Sequence, residues 1–273
     1  MSIRLIALDL DNTLFDDNKC VSPLNKKAIL AAKARGVKVV ITTGRPLAAI
    51  GNLLEELGLA TSDDYSITFN GGLIQTNTGR VLAEARLSYE ELAKIFEVLS
   101  PLDLPMDVIC GDTVYSLQTG HRPSLYPQAN PALRFIPIQS LADLPREVPY
   151  HKVVCVQEED YLNQQIQLLP DTLRDAFEVF KSREIILEIM PKGIHKAYGL
   201  EKLSQLLGIA SCDVMAIGDE ENDLTMIEWA GFGVAMKNAI PKLKALAQVV
   251  TKEDNNHSGV AEAMTKYVLE KGN

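Results

Sequence analysis

The stretch Leu5-Ile6-Ala7-Leu8-Asp9-Leu10-Asp11-Asn12-Thr13 decides how the rest of the chain is read. The run Ile3–Leu8, apolar apart from Arg4, has the length and composition of a buried strand. It passes directly into two carboxylates. A buried charge without compensation costs roughly several kcal/mol, so Asp9 and Asp11 need a neutraliser. Side chains two apart on a strand point the same way, about 6–7 Å apart, which sets both carboxylates at one spot beyond the strand's end. A hard divalent cation, which prefers oxygen ligands, would neutralise them. A solvated turn, where Asp and Asn are favoured, is the plainer alternative for these residues taken alone.

The chain has 273 residues, 47% of them hydrophobic, enough for one large domain or two smaller ones. A net charge of −9 with no basic block predicts neither nucleic acid nor anionic membrane as a partner. It leaves a small phosphorylated molecule open, because local charge at a site decides that. The N-terminal apolar run is too short for a signal peptide, and no stretch approaches the ~20 apolar residues of a membrane span. Cys20, Cys110, Cys155 and Cys212 form no C-x-x-C pair, which reads as reduced thiols in a cytoplasmic protein. The four histidines lack metal-motif spacing, and nucleotide-binding glycine loops are absent.

The first third alternates strand and helix. Ser22-Pro23 opens a helix with an apolar stripe at Leu24, Ala28, Ala31 and Ala32, closed by Gly36. Val37–Thr42 reads as a second buried strand. Thr43-Gly44-Arg45-Pro46 turns into a helix facing inward with Leu47, Ile50, Leu53, Leu54 and Leu57. Tyr65–Phe69 reads as a third strand ending at the tight turn Asn70-Gly71-Gly72. The last third repeats the rhythm: a helix from about Gly199 to Leu207, a strand at Val214–Ile217, the acidic segment Gly218-Asp219-Glu220-Glu221-Asn222-Asp223, and a helix through Trp229. Such repeats predict a doubly wound, Rossmann-like parallel sheet. The proline-rich middle reads as an inserted α+β cap domain over 85–189, leaving a discontinuous core at 1–84 and 190–273.

Asp9 and Asp11, Thr43, Asn70 and Asp219 each follow an apolar strand. In an open parallel sheet, ligands bind at the strands' carboxyl ends. Three aspartates could hold Mg²⁺ together with substrate phosphate oxygens. Thr43 offers a hydroxyl, the Gly44 amide a dipole-favoured donor, and Lys196 a positive charge just before a helix. This set suits phosphoryl transfer, where catalysis is mostly positioning and charge stabilisation.

The pattern resembles the haloacid dehalogenase superfamily of phosphatases. DLDNT at Asp9–Thr13 matches its D-x-D-x-T motif, Thr43 in TTGR the second, Lys196 the third and GDEEND at Gly218–Asp223 the fourth. The run Gly218–Pro241 and the tail Thr251–Ala261 are similar to the Cof-type subfamily, Mg²⁺-dependent phosphatases of sugar phosphates and related small metabolites. The resemblance implies that Asp9 is the nucleophile and a metal ligand. It makes Asp11 the general acid/base, with its carbonyl on the metal. Leu10, Thr43, Gly44, Lys196 and Asn222 would bind phosphate, Asp219 would complete the metal shell with help from Glu220, and Asp223 would orient Lys196 or metal-bound water. Asn12 stands where many relatives have Gly, and His195-Lys196-Ala197 replaces the usual small-Lys-Gly. A sugar phosphomutase on the same core is the alternative enzyme. A receiver-like phosphoacceptor, from a different class, fits less well, because it lacks a residue like Asp11 and a large insertion. The physiological substrate, the cap residues that select it and the oligomeric state are not legible.

Overall fold

The computed structural model describes residues 2–270; residues 1 and 271–273 lie outside the described residues. Five strands come first: β1 (Leu5–Leu8), β2 (Lys38–Thr42), β3 (Tyr65–Thr68), β4 (Leu73–Thr76) and β5 (Val81–Glu84). Six follow in the middle: β6 (Met106–Cys110), β7 (Thr113–Leu117), β8 (Arg134–Ile138), β9 (Lys152–Val156), β10 (Phe177–Arg183) and β11 (Ile186–Pro191). The last are β12 (Val214–Gly218), β13 (Phe232–Ala235) and β14 (Val249–Val250). The chain divides into two compact units. One takes the residues up to Gly44, Ile50–Ala83 and those from His195 on; the other takes Arg45–Ala49 and Glu84–Ile194.

The first unit is an eight-stranded sheet in the order β14-β13-β12-β1-β2-β3-β4-β5. The ladders from β14 across to β3 are parallel. β1 lies between β12 and β2, and all four of its residues are fully buried, as expected of a parallel strand covered on both faces. The chain leaves β1 toward β2 on one side and returns on the other through β12. That reversal opens a crevice at the carboxyl ends of the strands. The helix Pro23–Ala34 begins where Ser22 accepts the Asn25 amide at 3.1 Å.

Beyond the expected strands, β4 runs antiparallel to β3, the chain reversing through Phe69, Asn70 and Gly71 at positive φ. Two local expectations are corrected. The segment after Pro46 is not one helix. A 3₁₀ turn at Leu47–Ile50 is separated from the short helix Leu53–Glu56 by Gly51 at φ +55°, and Leu47 is only partly buried. Leu24 is 62% exposed, and Asn25 and Ile29 share the inward face with Ala28 and Ala32.

The second unit is a six-stranded sheet in the order β10-β11-β9-β6-β7-β8, antiparallel except for β7 beside β8. Leu92, Ile95 and Leu99 of the helix Tyr89–Leu99 share a core with Val108, Val153 and Leu187. That helix starts with a capping box between Ser88 and Glu91. The whole is an α/β fold: a doubly wound parallel core with an inserted α+β cap.

Two backbones meet in the first unit where no side chain fits. A Cβ on Gly71, at φ +101°, would overlap the His195 carbonyl oxygen, and one on Gly199 would come within 2.8 Å of the Gly71 Cα. Gly71→Ala is expected to lower stability by about 3 kcal/mol or more in urea unfolding, because neither backbone can retreat. Gly36→Ala, at φ +79° with nothing within 4 Å, should cost only about 1–2 kcal/mol.

Candidate active site

Adjacent parallel strands end at one rim. The Asp9 amide donates to the Ile217 carbonyl at 3.1 Å, the Thr43 amide to Ile67 at 2.9 Å and the Asn70 amide to Thr43 at 3.0 Å. These bonds bring Asp9, Thr43, Asn70 and the start of the 218–223 segment together. After β1 the chain makes one tight turn, closed by the Phe15 amide on the Leu10 carbonyl at 2.8 Å. Asn12 sits in this turn at φ +58°. Asn tolerates that left-handed conformation better than other side chains, which accounts for Asn where Gly is usual.

Lys196 is the first residue of the helix Lys196–Leu207, not a residue ahead of it. The helix begins three residues before its expected start because His195 caps it: Nδ1 accepts the Tyr198 amide at 3.1 Å. The Lys196 ammonium, with no exposure, donates to Asp9 Oδ1 and to Asp223 Oδ1, each at 2.5 Å. The other Asp223 oxygen accepts the amides of Asp219 at 2.9 Å and Glu220 at 3.1 Å. Gly218 is required there, since a Cβ on it would lie 2.5 Å from the Asp223 carboxylate. Thr13, fully buried, donates to Asp219 Oδ1 at 2.7 Å.

Oxygens of Asp9, Asp219 and Asp223 all lie within 4.8 Å of one another, and all three residues are buried. Asp223 therefore joins the acidic cluster itself. Glu220 does not: its carboxylate accepts the Glu221 amide at 3.1 Å and caps the following turn. The Asp11 side chain points to Lys19, with Nζ 2.9 Å from Oδ1. Asn222 donates to Asn70 Oδ1 at 3.0 Å, and the Asn70 side-chain Nδ2 lies 2.9 Å from where a Gly44 Cβ would stand. Asn70, at φ +51°, thus joins Gly44 to Asn222. Its place after an apolar strand was the available signal, and the turn preference of Asn-Gly-Gly masked it.

Burial pushes the Asp9 carboxyl up to about 7; Lys196 pulls the other way, while Asp223 and Asp11 add to the rise. Burial also raises Asp219 well above the carboxylate range, helped by Asp9 and Asp223 and opposed by the Thr13 hydrogen bond. For Lys196, burial disfavours the charge, but Asp223 and Asp9 outweigh it and the ammonium is held more firmly than in water. The arrangement is a fixed cation beside carboxylates excluded from solvent: the ammonium suits the charge on a phosphoryl group, and the oxygens suit a cation.

Fold and site together define a phosphoric-monoester hydrolase of the α/β class. The chain belongs to the haloacid dehalogenase-like hydrolases: the family model of that description matches residues 6–264, and the motifs are those of its Cof-type members. A Bacillus subtilis protein provisionally named a phosphatase, YxeH, is 36% identical over 98% of this chain and 99% of its own. The B. subtilis 5-amino-6-(5-phospho-D-ribitylamino)uracil phosphatase YcsE is 30% identical over 98% of this chain and 97% of its own. A crystal structure of a haloacid dehalogenase-like hydrolase from Bacteroides thetaiotaomicron superposes with a TM-score of 0.81 at 30% identity, covering 97% of this chain and 99% of that one. Membership of a hydrolase family sets aside the phosphoacceptor alternative. Among the described residues, no helix is long and apolar enough to cross a membrane.

Lys196→Met would leave Asp9 and Asp223 buried without their cation. The loss of stability in urea unfolding is expected to be about 3–5 kcal/mol well above pH 7. It should be smaller well below pH 7, where Asp9 takes up a proton.

Proposed function

We propose that the chain is a Mg²⁺-dependent phosphatase of phosphorylated sugars or related small metabolites, working through an aspartyl-phosphate on Asp9. The observation that carries this is the buried cluster of three carboxylates, two of which share the Lys196 ammonium while the third, Asp219, takes the Thr13 hydroxyl. Carboxylate oxygens from three buried acids, with one ammonium beside them, are the donor set a hard divalent cation takes. Asp9, Asp219 and the Asp11 carbonyl would hold the ion, with Asp223 or Glu220 completing or orienting its surroundings. Bound there, Mg²⁺ would offset the charge of the substrate phosphate so that an anion can approach a carboxylate.

The chain's own residues then have distinct tasks. The Asp9 carboxylate attacks phosphorus, and the ester oxygen leaves with a proton from Asp11. Asp11 next takes a proton from water, the water oxygen bonds to phosphorus, and the Asp9–phosphorus bond breaks to release inorganic phosphate. The Leu10 and Gly44 amides, the Thr43 hydroxyl, Lys196 and Asn222 would hold the phosphoryl oxygens. Asp223 keeps Lys196 in place. The inserted unit would select the organic group. The phosphorylated ribityl chain named for YcsE supports a sugar-like leaving group. Reduced cysteines fit a cytoplasmic enzyme with small-molecule partners and neither nucleic acid nor membrane.

Asp9→Asn is expected to abolish phosphate release across a panel of sugar phosphates while circular dichroism shows the fold retained; full turnover in that variant would rule out the covalent route. A second measurement follows from the raised Asp9. In the metal-free protein its contribution to stability is complete below the ordinary carboxylate range and is lost as pH rises through about 7. Mg²⁺ needs the ionised form. The rise in Tm on adding Mg²⁺ should therefore be larger above pH 7 than below it; an equal rise at both would count against ligation by Asp9.

A further inference from the structure

The loop after β1 is tied down by asparagines from two remote segments. Asn238, an exposed residue following β13, donates Nδ2 to the Asn12 carbonyl at 2.7 Å. Its Oδ1 accepts the Asn255 amide at 3.2 Å. Asn255, buried after β14, donates to the Phe15 carbonyl at 3.2 Å and to Asp17 Oδ1 at 3.1 Å. Asn256 Oδ1 accepts the Asp17 amide at 3.1 Å. The anchoring segments are themselves fixed to the sheet. The Met236 amide donates to the Gly218 carbonyl at 3.0 Å, and the Lys237 amide donates to the buried Thr251 hydroxyl at 2.9 Å.

The Asn12 carbonyl belongs to the 12–13 peptide, one residue beyond Asp11, so the bond to it holds the turn directly after the acid. Lys19, which pairs with Asp11, is 47% exposed, and exposed pairs constrain weakly. A general acid misplaced by about 1 Å can lose on the order of 100-fold in rate. We propose that Asn238, backed by Asn255, is a positioning residue for Asp11: it holds the acid-bearing turn in register with the leaving oxygen. This rests on the reading of Asp11 as the general acid.

The test compares kcat/KM for p-nitrophenyl phosphate, whose leaving group hardly needs a proton, with that for phenyl phosphate, whose leaving group does. Both are measured with Mg²⁺ present in the wild type, Asn238→Ala, Asn238→Asp and Asp11→Asn. Both Asn238 variants remove the donor at an exposed site, so folding is not at stake. Each is expected to lose about tenfold more activity on phenyl phosphate than on p-nitrophenyl phosphate, in the same direction as Asp11→Asn but less. Equal losses on both substrates, or none, with discrimination intact in Asp11→Asn, would overturn the Asn238 role alone. Absence of discrimination in Asp11→Asn would overturn the acid assignment itself, and this inference with it.

Discussion

The Lys196 ammonium, held without solvent between Asp9 and Asp223, is the interaction on which the rest of the site depends. It joins the strand end at residue 9, the helix beginning at 196 and the turn at 223. Neither carboxylate would tolerate its burial without that cation. The cation's own position follows from backbone packing. His195 closes the helix terminus, and its carbonyl rests against Gly71 at a distance only glycine permits. The tight glycine contacts therefore act on chemistry as well as on packing.

The remaining groups reach the rim by way of the sheet. Parallel ladders bring the ends of β12, β1, β2 and β3 level, and each end delivers one polar residue. Thr13 and the main-chain amides of Asp219 and Glu220 then orient the carboxylates. The acids are held by donors rather than left to rearrange, the preorganisation that makes electrostatic stabilisation effective in a dry site.

Most of the core architecture and the central site residues were legible because they rest on short-range rules. Apolar runs of strand length, Ser-Pro and glycine helix boundaries, and polar residues just past strand ends all carry local meaning. What was not legible depends on partners far along the chain. The expected helix over Leu47–Leu57 follows its apolar spacing, but Gly51 in a left-handed conformation interrupts it. β4 and the edge strand β5 are short, and their pairing, not their composition, defines them. The late start assigned to the helix at Lys196 reflects His195, an uncommon cap. Asn70 reads as a turn former, and only the fold sets it against Gly44 and Asn222. Asp223 reads as a supporting acid, yet its carboxylate sits within the cluster, while Glu220 is drawn off to cap its own turn.

The order of the strands has a consequence for how the protein is made. β1, which precedes the other described strands, has β2 close behind it in the chain, but its other ladder belongs to β12, more than two hundred residues later. Between them the six-stranded sheet is synthesised whole and has all its own ladders available. Until the last third emerges, Asp9 has neither Lys196 nor the β12 side of its sheet. The nascent chain thus carries Asp9 without its buried partners for most of translation, and the rim is assembled only when the sheet closes around β1.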